Sequence, residues 1–390
     1  MKKVPVQAVS HAVLQWARES IGLSVAEVAG RLKRTSGEIE AWERGDSAPT
    51  YVQLEKLAYQ LYKRPLAVFF LPAPPDEKPA TREFRTLPDA DMRSLAADTH
   101  YQIRRAHAYQ LALEEIFTGK SPYDQPIWRS IELLPASDLA AQATRVRAAL
   151  GITLESQSVW GNSDTALKQW RAAIEAAGIF VFKAAFEQKE ISGLCLRHAE
   201  FPLIHLNYST TKTRQVFSLL HELAHLLLKV NGLSKFDSNY IEGLATREQQ
   251  IERFCNAFAA ETLIPAADFR DKTSSWPRNV EQQGEQHFST LAARYGVSRE
   301  AILRRFLDQG RISANFYKSK ARDWESQRTG KSGGNYYATQ NVYLSERFAR
   351  EVFAQHFRRA LSADQAAELL GVKAKSLPGL EALTLHGATA

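Results

Sequence analysis

Two histidines, His221 and His225, stand four residues apart in the apolar run FSLLHELAHLLLKV at 217–230, and Glu222 directly follows the first. On an α-helix this spacing puts both imidazoles on one face, one turn apart. Two ligands on one rigid helix chelate an ion at little entropic cost, and a carboxylate beside them reaches a water on that ion. This is the logic of H-E-x-x-H, with His221 and His225 as zinc ligands and Glu222 as general base. The competing reading is a core helix with incidental polar residues. Burying such groups unpaired costs about 1–3 kcal/mol each, which weighs against it.

A zinc ion that keeps a water in its fourth position needs a third protein ligand. Glu252 leads the candidates: it lies in IERFCNAFAAETLIP, where Phe254, Ala257 and Phe258 form an apolar stripe. Asn256, four residues on, shares the face of Glu252, where a further partner orients a metal-bound imidazole. By spacing alone, Glu242, Glu248 and Glu261 remain competitors. Structural zinc usually takes four protein ligands, often thiolates, and Cys195 and Cys255 lack a chelating spacing. Two distant cysteines also imply no disulfide framework, so a reducing cytoplasmic setting is expected.

The elements that must position these residues lie in a chain of 390 residues, enough for two or three domains. At 44% hydrophobic and 24% charged it reads as globular. A net charge of +7 permits contact with nucleic acid without establishing it. The opening MKKVPVQAVSHAVLQW is too interrupted for a signal peptide. No apolar run approaches the roughly 18–20 residues of a membrane span, so no membrane partner is expected.

Composition shifts and capping signals divide the chain. Residues 1–72 form an all-α unit, with Ser24 and Glu27 spaced as a capping box and Gly45 as a helix stop. A Pro-rich linker covers 73–90, and a helical connecting region covers 91–162. From 163 to 310 an amphipathic helix precedes three strand-like runs, IFVFKA, ISGLCLR and FPLIHLN. Helices over 213–230 and 246–263 follow, then a helix pair over 288–310 with Gly296 at its turn. Residues 311–390 make a helical tail domain after the Gly-rich loop KARDWESQRTGKSGGNYY. The fold expected is multidomain: an all-α helix-turn-helix domain, then an α+β zincin-like domain with a small sheet and a helical C-terminal region.

The sequence RQVFSLLHELAHLLL, followed by IERFCNAFAAETLIP, resembles the ImmA/IrrE family of metallopeptidases. So does FPLIHLN, a strand ending in asparagine before the H-E-x-x-H helix. The resemblance covers roughly 165–310, with Ser218 where the family usually has threonine. It implies one zinc ion per chain, held by His221, His225 and Glu252, with Glu222 passing a proton from water to the leaving amine. It marks no oxyanion donor; Tyr240, His205 and His287 are candidates by residue type.

Residues 11–71 resemble the Cro/C1-type (XRE-family) helix-turn-helix domain through Gly22, Leu23, Ser24, Ala29, Ile39 and WERG at 42–45. Arg18 and Glu43 fall on the positions of that family's internal salt bridge. The third helix, Ser36–Arg44, is the one that enters the major groove. Its exposed positions are Ser36, Gly37, Glu40 and Ala41, none of them a residue that favours base readout. Lys33, Arg34, Thr35 and Arg44 flank the helix as phosphate contacts. The combined resemblance implies a DNA-tethered zinc endopeptidase acting as a transcriptional, stress or mobile-element regulator. Its protein substrate is expected to be a repressor or a toxin encoded beside it. The alternative is a DNA-binding antitoxin or regulator whose zinc domain senses or binds a partner without proteolysis. A homodimer is compatible with either.

Overall fold

The computed structural model describes residues 4–77, 83, 84, 86–326 and 343–386. Of the Gly-rich loop expected at 320–337, residues 327–337 lie outside the described residues, as do 78–82 and 85 of the linker, while 320–326 instead continue the helix Ala314–Ser326. The chain divides into two compact units, one of Met1–His107 with Phe186–Lys189, the other of Ala108–Ala185 with Glu190–Ala390.

In the first unit, α1 (His11–Glu19), α2 (Val25–Leu32), α3 (Ser36–Arg44) and α4 (Tyr51–Glu55) surround a core of Val13, Leu14, Ala17, Val28, Ile39, Trp42 and Leu54. Ser24 and Glu27 cap each other's backbone in a reciprocal box at the start of α2, satisfying two helix-end amides. Thr35 caps α3, and Gly45 ends it with φ 84°, a left-handed value that suits glycine. After α4 the chain passes into a π-helical turn over Lys56–Leu61. The wider turn brings Leu57, Ala58, Leu61 and Tyr62 together into the core. Arg18 reaches Glu43 with two hydrogen bonds, 2.7 and 2.8 Å.

The second unit is built on a four-stranded sheet: β1 (Phe180–Ala184), β2 (Ile191–Leu196), β3 (Leu203–Asn207) and β4 (Gly232–Lys235), in the order β1-β3-β2-β4. β1 and β3 are parallel, and the other two pairings are antiparallel. The first three strands match the expected runs, but β4 has only four residues, one a glycine, and no alternating pattern to reveal it.

Both faces of the sheet are covered. Val181, Cys195, Ile204 and Leu206 join the core formed with the helix Lys212–Leu227. On the opposite face Phe182 stacks on Tyr109 at 3.9 Å and meets Phe348 edge-on. Tyr109 belongs to α5 (Ala97–Ile116). α6 (Leu139–Ala149) and α7 (Ser163–Ala176) precede the sheet. Then come α8 (Lys212–Leu227), α9 (Thr246–Leu263), the pair α10 (Glu285–Tyr295) and α11 (Arg299–Asp308), and α12 (Glu346–Phe357), which carries Phe348. Among the described residues, no helix is long and apolar enough to cross a membrane.

Candidate metal centre

α8 is the central element. Thr211 caps it, accepting from the Arg214 amide, and Asn207 fixes the approach to it. The Asn207 amide donates to Ile191 O (2.8 Å), and its side-chain oxygen accepts from the Ser209 amide and hydroxyl. From Ser218 to Leu227 every residue of α8 is buried, because β2 and β3 cover one side and α7 and α9 the other. A helix enclosed in this way leaves its polar residues no solvent.

α9 packs directly on α8. Glu252, Cys255, Ala259 and Thr262 recur at helical spacing and are all buried. The far end of α9 is pinned from other elements. Arg147 on α6 donates to Thr262 O at 2.7 Å, and Gln157 donates to Leu263 O and Tyr295 O, each at 2.9 Å. These bonds satisfy carbonyls that the helix end leaves open and hold the position of Glu252 along α8.

His221, His225 and Glu252 converge as a result. The two Nε2 atoms are 3.1 Å apart. Glu252 Oε2 lies 3.3 Å from His221 Nε2, and Glu252 Oε1 lies 3.1 Å from His225 Nε2. Ligands held at about 2.0–2.1 Å around one tetrahedral ion are separated by about 3.3 Å, so the trio already has the spacing of a shared ion. It is the one such group among the described residues. An N₂O donor set suits a divalent transition ion. The histidines draw the Glu252 carboxyl well below its usual range, against the opposing effect of burial. Burial alone lowers the His225 pKa, but the neighbouring Cys255 and Glu252 outweigh it and raise the value well above that of ordinary imidazole.

Glu222 is fully buried, and neither of its oxygens has an N–H or O–H partner. A carboxylate buried without such partners is costly in a purely structural role. Gly232, opening β4, is its close neighbour. A Cβ built there comes within 2.7 Å of both Glu222 Oε2 and His225 Cδ2. The backbone of β4 passes this close only because residue 232 has no side chain.

Other expected partners are placed differently. Asn256 is only partly buried on α9 and sends no side-chain hydrogen bond to either imidazole; Cys255 Sγ lies 3.7 Å from His225 Nδ1 instead. Positions i+3 and i+4 from Glu252 straddle the α8-facing stripe, and it is i+3 that points inward. Of the candidate oxyanion donors, His205 pairs with Phe182 and lies near Tyr109, on the sheet face turned away from α8. Strand alternation alone decides this. His287 packs edge-on against Trp276 and takes no part in the cluster. Tyr240, in the 3₁₀ turn Ser238–Gly243, donates its hydroxyl to Glu252 Oε2 at 2.7 Å. Glu242 ion-pairs with Arg253, and Glu261 with Arg305, so neither joins the trio. Glu248 lies in the first turn of α9, also outside it.

The positions on and around α3 belong to the first unit. Lys33, Arg34, Thr35, Ser36, Gly37, Glu40 and Arg44 are all exposed. Arg34 pairs with Glu38 at 3.7 Å, and Arg44 with Glu40 at 3.8 Å and Asp46 at 2.9 Å.

No curated protein matches the chain. Residues 174–307, the stretch that holds every member of the buried cluster, match the family model of peptidase M78, the IrrE N-terminal-like domain.

Proposed function

We propose that the chain is a zinc-dependent endopeptidase of regulatory type, tethered to DNA through its N-terminal unit and acting on a repressor-like protein. The observation that carries the peptidase reading is the convergence of His221, His225 and Glu252 with the buried carboxylate of Glu222, which no N–H or O–H group satisfies, one residue along α8. His221, His225 and Glu252 would hold the ion. A zinc ion there supplies a Lewis acid, which makes a water acidic and polarises a carbonyl.

The chain's own groups do the rest. Glu222 takes the proton of the attacking water and delivers it to the departing amine nitrogen. Burial strengthens that exchange by removing competing solvent. His225 Nδ1 lies 3.7 Å from Cys255 Sγ, and a proton on Nδ1 directed at that sulfur would leave the Nε2 lone pair for the ion.

The DNA part of the proposal is supported by packed helices α2 and α3, joined by a turn in which Lys33 is left-handed (φ 55°). It also draws on the exposed cations Lys33, Arg34 and Arg44 around Ser36 and Gly37. Phosphate contact fits these residues better than base readout, because Arg34 and Arg44 already share neighbouring carboxylates.

A second reading has one observation in its favour. His221 is 4% exposed, and Glu222, His225 and Glu252 are 0% exposed. A centre this enclosed also suits a metal-dependent partner-binding domain without proteolysis. Glu222→Gln separates the two. It is expected to retain the metal while cleavage of a co-expressed repressor falls by at least a hundredfold. A Glu222→Gln strain that regulates as the wild type does eliminates proteolysis as the function.

A further inference from the structure

We infer that Tyr240 is a positioning residue of the metal centre, acting through Glu252. The inference rests on the metal reading above and adds a residue that neither spacing nor motif assigns. Tyr240 sits in a short turn between β4 and α9, fastened by Asp237, whose carboxylate accepts from the Asn239 amide (2.9 Å) and side chain (2.8 Å). From there its hydroxyl donates to Glu252 Oε2 at 2.7 Å, and the Lys235 amide at the end of β4 bears on the same phenol oxygen.

A carboxylate ligand can rotate about its last bond and present either oxygen, or both, to an ion. A hydrogen bond fixed on Oε2 removes that freedom. Glu252 is fully buried, so no water competes for the same oxygen. Outer partners of this kind hold a ligand in its coordinating orientation before the ion arrives.

The test uses the full chain and zinc alone. Zinc affinity is measured by competition with a chromophoric chelator for wild type, Tyr240→Phe, Glu252→Ala and the double variant. Tyr240→Phe keeps the ring and is expected to weaken zinc binding by about 10–100-fold. In the Glu252→Ala background the same change is expected to have no further effect, because the path runs through that carboxylate. The visible spectrum of the cobalt-substituted protein should also shift in Tyr240→Phe, since the carboxylate is freed to change its mode of coordination. A role confined to packing lowers thermal stability without moving that spectrum.

Equal affinity in wild type and Tyr240→Phe overturns the inference and leaves the metal centre standing. Equal losses in both backgrounds overturn it as well, because Tyr240 then acts by another route. A wild-type chain that binds no zinc overturns the metal reading, and this inference with it.

Discussion

At the scale of residues, the chemistry was the most legible part of the sequence and its surroundings the least. His221, Glu222 and His225 announce themselves, because helical spacing converts sequence distance directly into a shared face. Glu252 was one of four carboxylates until the packing of α9 on α8 selected it. Cys255 was hidden by a single step of sequence. Asn256 is the better hydrogen-bonding residue, yet the thiol at i+3 is the group beside His225 Nδ1. Gly232 gave no signal beyond its lack of a side chain, although β4 approaches Glu222 through it. That approach yields a prediction. Gly232→Ala places a methyl group within 2.7 Å of Glu222 Oε2 and His225 Cδ2, so one or both must turn. Because backbone holds β4 in place, the side chains have to give way. Proteolytic activity is expected to drop by at least tenfold with far-UV circular dichroism unchanged, consistent with the sensitivity of catalysis to misplacements of about 1 Å. Wild-type activity in Gly232→Ala would show that Glu222 has room to spare.

At the scale of elements, caps and apolar patterning located the helices well. Ser24 caps α2 and Thr35 caps α3, and α9 begins and ends where its pattern placed it. What local sequence could not show was which polar side chains serve distant helix ends. The pair α10–α11 illustrates this through its four arginines, whose partners the local sequence does not show. Each of them meets a carboxylate: Arg294 with Asp268, Arg299 with Glu285, Arg304 with Asp308 and Arg305 with Glu261. Arg305 is the most enclosed of these links and also donates to Ile264 O at 2.5 Å. Its loss strands the buried Glu261 and an open carbonyl at the end of α9. Arg305→Ala is expected to lower stability by about 2 kcal/mol in urea unfolding and to leave DNA affinity unchanged. A fall in DNA affinity with stability preserved would reverse the assignment and make α11 a nucleic-acid surface.

At the scale of the whole molecule, the net charge of +7 is a poor guide to where anything binds, because so many cations have partners within the fold. A more telling feature is a basic cluster in the first unit, with Arg64 buried and Arg104 and His100 half-buried. Arg64 lies over the Trp16 ring at 3.9 Å and forms an ion pair with Glu77, while Arg104 donates to the carbonyls of Tyr62 and Lys63. His100 shares this environment. Burial, then Arg104 and Arg64, push its pKa down to about 4, so the fold accepts only its neutral form near pH 7. The sign follows from proton uptake. The unfolded chain binds a proton at His100 near pH 6.5, and the folded chain does not until about pH 4. Stability from this group is therefore complete above pH 6.5 and declines as the pH falls towards 4, by on the order of 2 kcal/mol. Glu77, held below its usual value by Arg64 against the cost of burial, adds a loss of the same sign, confined to lower pH. The urea midpoint of the intact chain should thus fall between pH 6.5 and 4.5, and His100→Gln should flatten that part of the curve while leaving the steeper loss below it. A wild-type midpoint constant from pH 7 to 4.5 would mean that burial and the arginines do not keep His100 neutral, and that acid lability begins only at the carboxylates.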